Sequence, residues 1–218
     1  MTPGATTWLE AVPAVAVAAV LLLVPGPVAV RLLGLRWWAA VGVGPAVGTS
    51  LFVGAGVVCG AAGIPWGLGP VVLTTLAGWA GAALLGVPLR RWSRRPQDGP
   101  RPGRDRPGRP RLGRDGLSVL AAVAGIAFAF ASVAVVLVAV TRTPDHFPQH
   151  PDTIFHLGDA LWMTEHRDVS LLHAYGFMEA GRTSLYPAAF HLVTATTSML
   201  SGTNIVVATQ AAVLVMAG

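Results

Sequence analysis

The chain has 218 residues, of which 53% are hydrophobic and only 11% charged, against about 25% charged in ordinary soluble domains. Its net charge of +5 comes from 15 arginines and no lysine, and ten of those arginines fall between Arg90 and Arg114. This excludes a soluble globular enzyme, and the arginines, with no aromatic stacking residues or recognition motif beside them, point to anionic lipid headgroups and not to nucleic acid.

Charge-free apolar blocks run from Ala11 to Val30, from Trp37 to Leu89 and from Gly116 to Thr141. A helix needs about 20 residues to cross a hydrocarbon core ~30 Å thick, so the first block predicts a span over 11–30. It is not a removable leader, because Glu10 and no arginine precedes it. Arg31 and Arg36 mark a turn, and Trp37 with Trp38 sits where an aromatic belt meets the interface. The second span, 39–62, carries Gly44-x3-Gly48 and Gly56-x3-Gly60. That spacing lets another helix approach closely in lipid; general glycine richness is the alternative. Cys59 lies within this run, and as a lone cysteine it makes neither an internal disulfide nor a zinc site.

Gly63, Pro65 and Gly67 break the run before a third span over 68–89. An Arg/Pro/Gly-rich linker follows over 90–116, too polar to bury a core, then a fourth span over 117–140. Twelve arginines fall in the two connections on one side. The positive-inside rule then puts the linker in the cytoplasm, with the N-terminus and residues 141–201 outside. The last apolar stretch, 203–218, is too short to span and reads as the start of a fifth transmembrane helix, with more chain expected beyond it. The fold class expected is all-α: a polytopic transmembrane bundle with short juxtamembrane helices, over about 152–167 and 184–200, in an outer loop of the cytoplasmic membrane.

That loop holds all six histidines and six of the ten acids. On a helix at 100° per residue, Asp152, His156, Asp159, Met163 and His166 lie within about 80° of one another, while Ile154, Leu157 and Leu161 point elsewhere. Such a helix suits a place on the outer leaflet. Three readings fit the polar face. Asp152 is a helix cap and His156 a solvated residue; or Asp152 is a general base oriented by His156 one turn later; or Asp152, His156 and Asp159, with His146 or His150, hold a divalent cation. No zinc signature is present, so no metal ligand is assigned. Downstream, Arg182-Thr-Ser-Leu-Tyr186-Pro-Ala-Ala-Phe-His191 places Pro187 in a first helical turn with Thr183 or Ser184 as cap, after a polar loop suited to an anion such as phosphate.

With these two motifs, Asp152-Thr-Ile-Phe-His156-Leu157 and Tyr186-Pro-Ala-Ala-Phe-His191, the layout resembles a family of uncharacterised actinobacterial multi-pass membrane proteins that look like GT-C glycosyltransferases. The resemblance implies a polyprenyl-phosphate-linked sugar donor and a glycan or lipid acceptor. It implies Asp152 as base, His156 and His191 as catalytic partners, and Arg182, Tyr186 and Asp159 as substrate-binding residues. Three spans precede the one that matches the GT-C fold's first. A different class stands beside this reading: a non-enzymatic transporter or envelope-assembly subunit. Intramembrane charges favour transport, and the expected spans contain none.

Overall fold

The computed structural model describes residues 6–93, 112–146, 151–179 and 185–217. Among them there are only helices and connections, with no strand. Four stretches are long and apolar enough to cross a membrane: Val12–Leu32, Trp37–Ala62, Leu68–Leu89 and Val123–Thr141. The protein is thus an all-helical membrane protein.

The first span is two helices, α1 (Val12–Leu23) and α2 (Pro25–Leu32). The break falls at Pro25, which has no N–H to continue the ladder. α3 (Trp37–Ala62) begins at the tryptophan pair and ends on Gly63 in the left-handed region at φ 66°, where glycine costs least. α2 and α3 are packed backbone to backbone: a Cβ on Gly48 would lie 2.9 Å from Gly26 N, and one on Gly44 would overlap Pro27. The Gly44-x3-Gly48 spacing is therefore a contact face, as expected where small residues let helices meet in lipid. α4 (Leu68–Ser93) lies against α2 and α3, and its Trp79 Nε1 donates to the Pro25 carbonyl at 2.9 Å.

α5 (Leu112–Thr141) follows the linker, of which residues 94–111 lie outside the described set. The helix ends before Arg142, at φ 60°. α6 (Pro151–His166) starts on a proline, suited to a first turn whose N–H groups have no helical partner. α7 (Ala189–Ser201) and α8 (Ile205–Ala217) meet at Gly202, φ 69°, with axes bent by 119°. Only together are they long enough to cross a membrane.

Two contacts fix which ends coincide. Thr6 N donates to Asp145 Oδ2 at 2.9 Å, and Trp66 N donates to the Arg167 carbonyl at 2.6 Å. The N-terminus, the α3–α4 turn, the end of α5 and the end of α6 therefore share one end of the bundle. The α2–α3 turn, where Leu32 meets Gly86 of α4, forms the other.

The main core gathers Leu21, Phe52, Trp66, Met163, Leu192 and Val193. It brings the spans together with α6 and α7, and Cys59 packs at its edge. The second glycine pair seats the outer segment: Gly56 faces Val169 and Leu192, and Gly60 faces Asp168 and Ser170. Any larger residue at either position would push that segment off α3.

Candidate functional site: a buried histidine–carboxylate chain

α6 turns the middle of its polar face inward, while Asp152 and His166 at the two ends stay exposed. Asp159 and Met163 are fully buried, whereas Ile154 is 60% exposed and Leu161 42%. Leu157, expected to face a membrane surface or a packed neighbour, is buried. His156, solvated in one of the three readings, is half-buried, because α7 packs along this side of α6 and supplies His191.

α7 starts at Ala189, with Ala188 as its cap residue and no side-chain cap bond. This corrects the helix start expected near residue 184. Pro187 therefore precedes the helix instead of sitting in its first turn; Thr183 and Ser184 lie outside the described residues, as does Arg182. Because the chain approaches in an irregular segment, Tyr186 folds back: its N–H donates to the Leu171 carbonyl at 3.2 Å. His191 then falls on the first turn of α7, facing α6.

There the two sequence motifs meet. His156 Nδ1 and His191 Nε2 are 2.8 Å apart, with the rings stacked at 29°. On its other side, His191 Nδ1 lies 3.3 Å from Asp159 Oδ2. Neither Asp159 oxygen has a well-aligned hydrogen-bond donor, so the imidazole is its nearest polar neighbour. Burial alone raises the Asp159 carboxyl to about 7, because an ionised carboxylate loses its hydration there. His191 is equally buried, whereas His156 is only half-buried and forms the accessible end of the row.

Around this row stands a cluster of aromatic rings. Phe155 makes edge contacts with His156, Tyr175, Phe177, Tyr186 and His191, at 5.3 to 6.3 Å between centroids. Burial, then Tyr175 and the carboxyls of Asp159 and Asp152, holds the Tyr186 phenol above its ordinary value. Asp152 is exposed in the first turn of α6 and is engaged there. Beside Pro187 and Ala189 an apolar cavity of about 610 Å³ opens between α3 and α8, reaching Thr49, Val53 and Met216.

Among the described residues, no group of three or more His, Cys, Asp or Glu side chains is placed to hold a metal ion. Asp159 lies against His191, and the trio expected as cation ligands, Asp152, His156 and Asp159, does not form such a group. His150 lies outside the described residues, and His146 sits in the turn after α5. His166 is exposed and stacks on Trp162, with 4.4 Å between the rings.

Several residues of the site and its support have no sequence signature. Phe155 borders His156, but nothing local marks it as a hub. Asp168 accepts from Ser170 N and His173 Nδ1 at 2.9 and 2.6 Å, which ties the outer segment into a compact turn. Its spacing, D-x4-H, was the available clue. Trp66 Nε1 donates to Thr196 Oγ1 of α7 at 2.9 Å, and Arg167 Nε donates to the Trp66 carbonyl at 3.0 Å. A tryptophan between two loop breakers was the only hint of that anchor.

Fold and site together define a polytopic helical membrane protein that carries a histidine–carboxylate centre beside its spans. The chain belongs to a family of unknown function (DUF6541), which matches residues 19–218 and so includes every residue of the site. No curated protein and no solved structure matches it.

Proposed function

We propose that this protein is a GT-C-like glycosyltransferase. It moves a sugar from a polyprenyl phosphate to a hydroxyl of a glycan or lipid acceptor at the outer face of the cytoplasmic membrane, with its N-terminus outside. The observation that carries this reading is the meeting of the two motifs through the 2.8 Å His156–His191 contact. A half-buried imidazole backed by a second imidazole and a carboxyl is a suitable general base near neutral pH.

In the reaction the acceptor oxygen bonds to the anomeric carbon as the bond from that carbon to the phosphate oxygen breaks. The electron pair leaves with the polyprenyl phosphate, and the hydroxyl proton passes to His156 Nε2. Tyr186 and the exposed Asp152 border the place where the sugar sits, and Arg182 offsets the phosphate charge. The apolar cavity beside Pro187 suits an isoprenoid chain. The rival class, a transporter or assembly subunit, draws little support from the spans: apart from Arg31 at the end of α2, they carry no Asp, Glu, Lys or Arg.

The test measures transfer from polyprenyl-phosphate sugars by the membrane-embedded protein, with protein level controlled. His156→Gln is expected to lower turnover roughly a hundredfold or more, the usual size of a general-base contribution. Asp152→Asn, at an exposed first-turn position of α6, is expected to lower it far less. The reverse ranking would hand the base role to Asp152, and no transfer by the wild type from any such donor would remove the glycosyltransferase reading.

A further inference from the structure

Asp159 has a place that substrate binding does not explain. Its side chain is fully buried behind His191, so no substrate atom reaches it, yet its two oxygens lack good donors. A carboxyl so placed is costly unless it exchanges its charge with a neighbour. The row Asp159 Oδ2, His191 Nδ1, His191 Nε2, His156 Nδ1 offers that exchange, at 3.3 and 2.8 Å.

We propose that Asp159 is the terminal proton acceptor of a chain that runs from His156 through His191. With Asp159 ionised, His191 Nδ1–H faces the carboxylate, His156 Nδ1–H donates to His191 Nε2, and His156 Nε2 is bare. A proton arriving at His156 Nε2 pushes the Nδ1 proton of His156 to His191 Nε2, and the Nδ1 proton of His191 to Asp159. One proton enters and two shift, one along the 2.8 Å hydrogen bond between the imidazoles and one across the 3.3 Å gap from His191 Nδ1 to Asp159 Oδ2, where a small turn of the side chains must first align donor and acceptor. The products are a neutral carboxyl and two neutral imidazoles. The negative charge disappears at the buried end, and no imidazolium forms in the low-dielectric interior.

This differs from a Ser-His-Asp triad, in which the carboxylate stays ionised and merely steadies the imidazolium. Here burial raises the proton affinity of Asp159 to near neutrality, so the carboxyl can take the proton. The titratable groups facing it are His191 from α7, His156 one turn back on α6, and Tyr186 and Tyr175 from the adjoining segments, with Asp152 farther along α6. α8, which also packs on α6, has no titratable side chain. The catalytic use of the chain rests on the transferase reading; the proton transfer itself does not.

The experiment uses the whole protein in lipid nanodiscs, with labelled histidine rings. Ring-nitrogen NMR distinguishes the two neutral tautomers from the imidazolium, and infrared spectroscopy reports a protonated buried carboxyl. As the pH falls from about 8 to about 6, across the ordinary histidine range, wild-type His156 is expected to switch its proton from Nδ1 to Nε2 without becoming an imidazolium. A protonated-carboxyl band should grow in step. In Asp159→Asn and in His191→Gln the same titration should end on a His156 imidazolium.

If wild-type His156 becomes an imidazolium with no carboxyl band, the proposal is overturned, and the wild-type measurement decides this even where a variant does not fold. Turnover separates the two claims. Loss of all transfer activity with the tautomer switch intact removes the transferase and leaves the chain; robust transfer with an ordinary imidazolium does the opposite.

Discussion

The span in α5, Val123–Thr141, is the most apolar of the four, and of its residues only Thr141 at its end is buried. α7 holds three threonines, two serines and a histidine, and every residue from His191 to Ser198 is buried. Hydrophobicity and burial are thus decoupled here. The solvent of a span is hydrocarbon, so an apolar surface needs no protein partner, and helices meet through shape and polar contacts. α7 meets α1, α3, α6 and α8, and its Thr196 hydroxyl accepts from Trp66 Nε1, while the buried hydroxyls of Thr194 and Thr197 have no partner among the described residues. α5 touches mainly α8.

The sharpest challenge to that contrast is a pair of truncations, and the larger effect belongs to α7. Leu192 is 1% exposed and packs on Gly56. Leu192→Ala is expected to destabilise the protein by about 2–5 kcal/mol, the usual cost of a cavity in a packed core, and to loosen α6 and α7 from α3. Thermal unfolding in a mild detergent, with proteolysis of the 168–188 segment, checks both.

A smaller effect, with a definite sign, comes from Asp159. Its carboxyl holds a proton up to about 7 when folded, against an ordinary value of 3.8. Between those values the folded state binds more protons than the unfolded one, so stability falls as the pH rises through this window. It is fully present below the unfolded value and gone above the folded one. The wild-type unfolding free energy should therefore decline from about pH 4 to about pH 7, by an amount on the order of 2 kcal/mol, part of the Asp159 effect being offset by His191, whose imidazole is held below its ordinary value by burial. Asp159→Asn should flatten that slope. A slope unchanged in the variant would assign the decline to another group.

The smallest effect belongs to α5. Phe128 is 76% exposed, and Phe128→Ala is expected to move the unfolding midpoint by no more than about 0.5 kcal/mol, as for positions without protein contacts. A core-sized loss there would show that α5 has a packed partner, and the contrast with α7 would fail.

Much of the fold was legible because a bilayer imposes a simple rule on sequence. Charge-free blocks of about 20 residues mark spans, and Gly63, Pro65 and Gly67 mark the break between the second and third; the breaks at Pro25 and Gly202 emerge only in the structure. The start of α7 was misjudged because Pro187 is an ordinary first-turn residue in local terms; the fold-back of Tyr186 onto Leu171 holds it outside the helix. The candidate site was half legible. His156 and His191 stood out in their motifs, and the 100° periodicity placed Asp159 on the same face of α6 as His156. Periodicity says which residues share a face, but not which way that face turns.

The sequence by itself determined that this is a helical membrane protein with its titratable groups gathered between α5 and α8, since hydropathy and charge act locally along the chain. Only the tertiary structure decided that α6 turns Asp159 inward, that His191 comes within hydrogen-bonding distance of His156 from 35 residues away, and that Asp159 is fully buried behind them. Those facts depend on α7 packing against Gly56 through Leu192, with the segment that precedes it seated on Gly60 through Asp168 and Ser170. Close packing between segments far apart in sequence is set by shape in three dimensions, which no local pattern encodes.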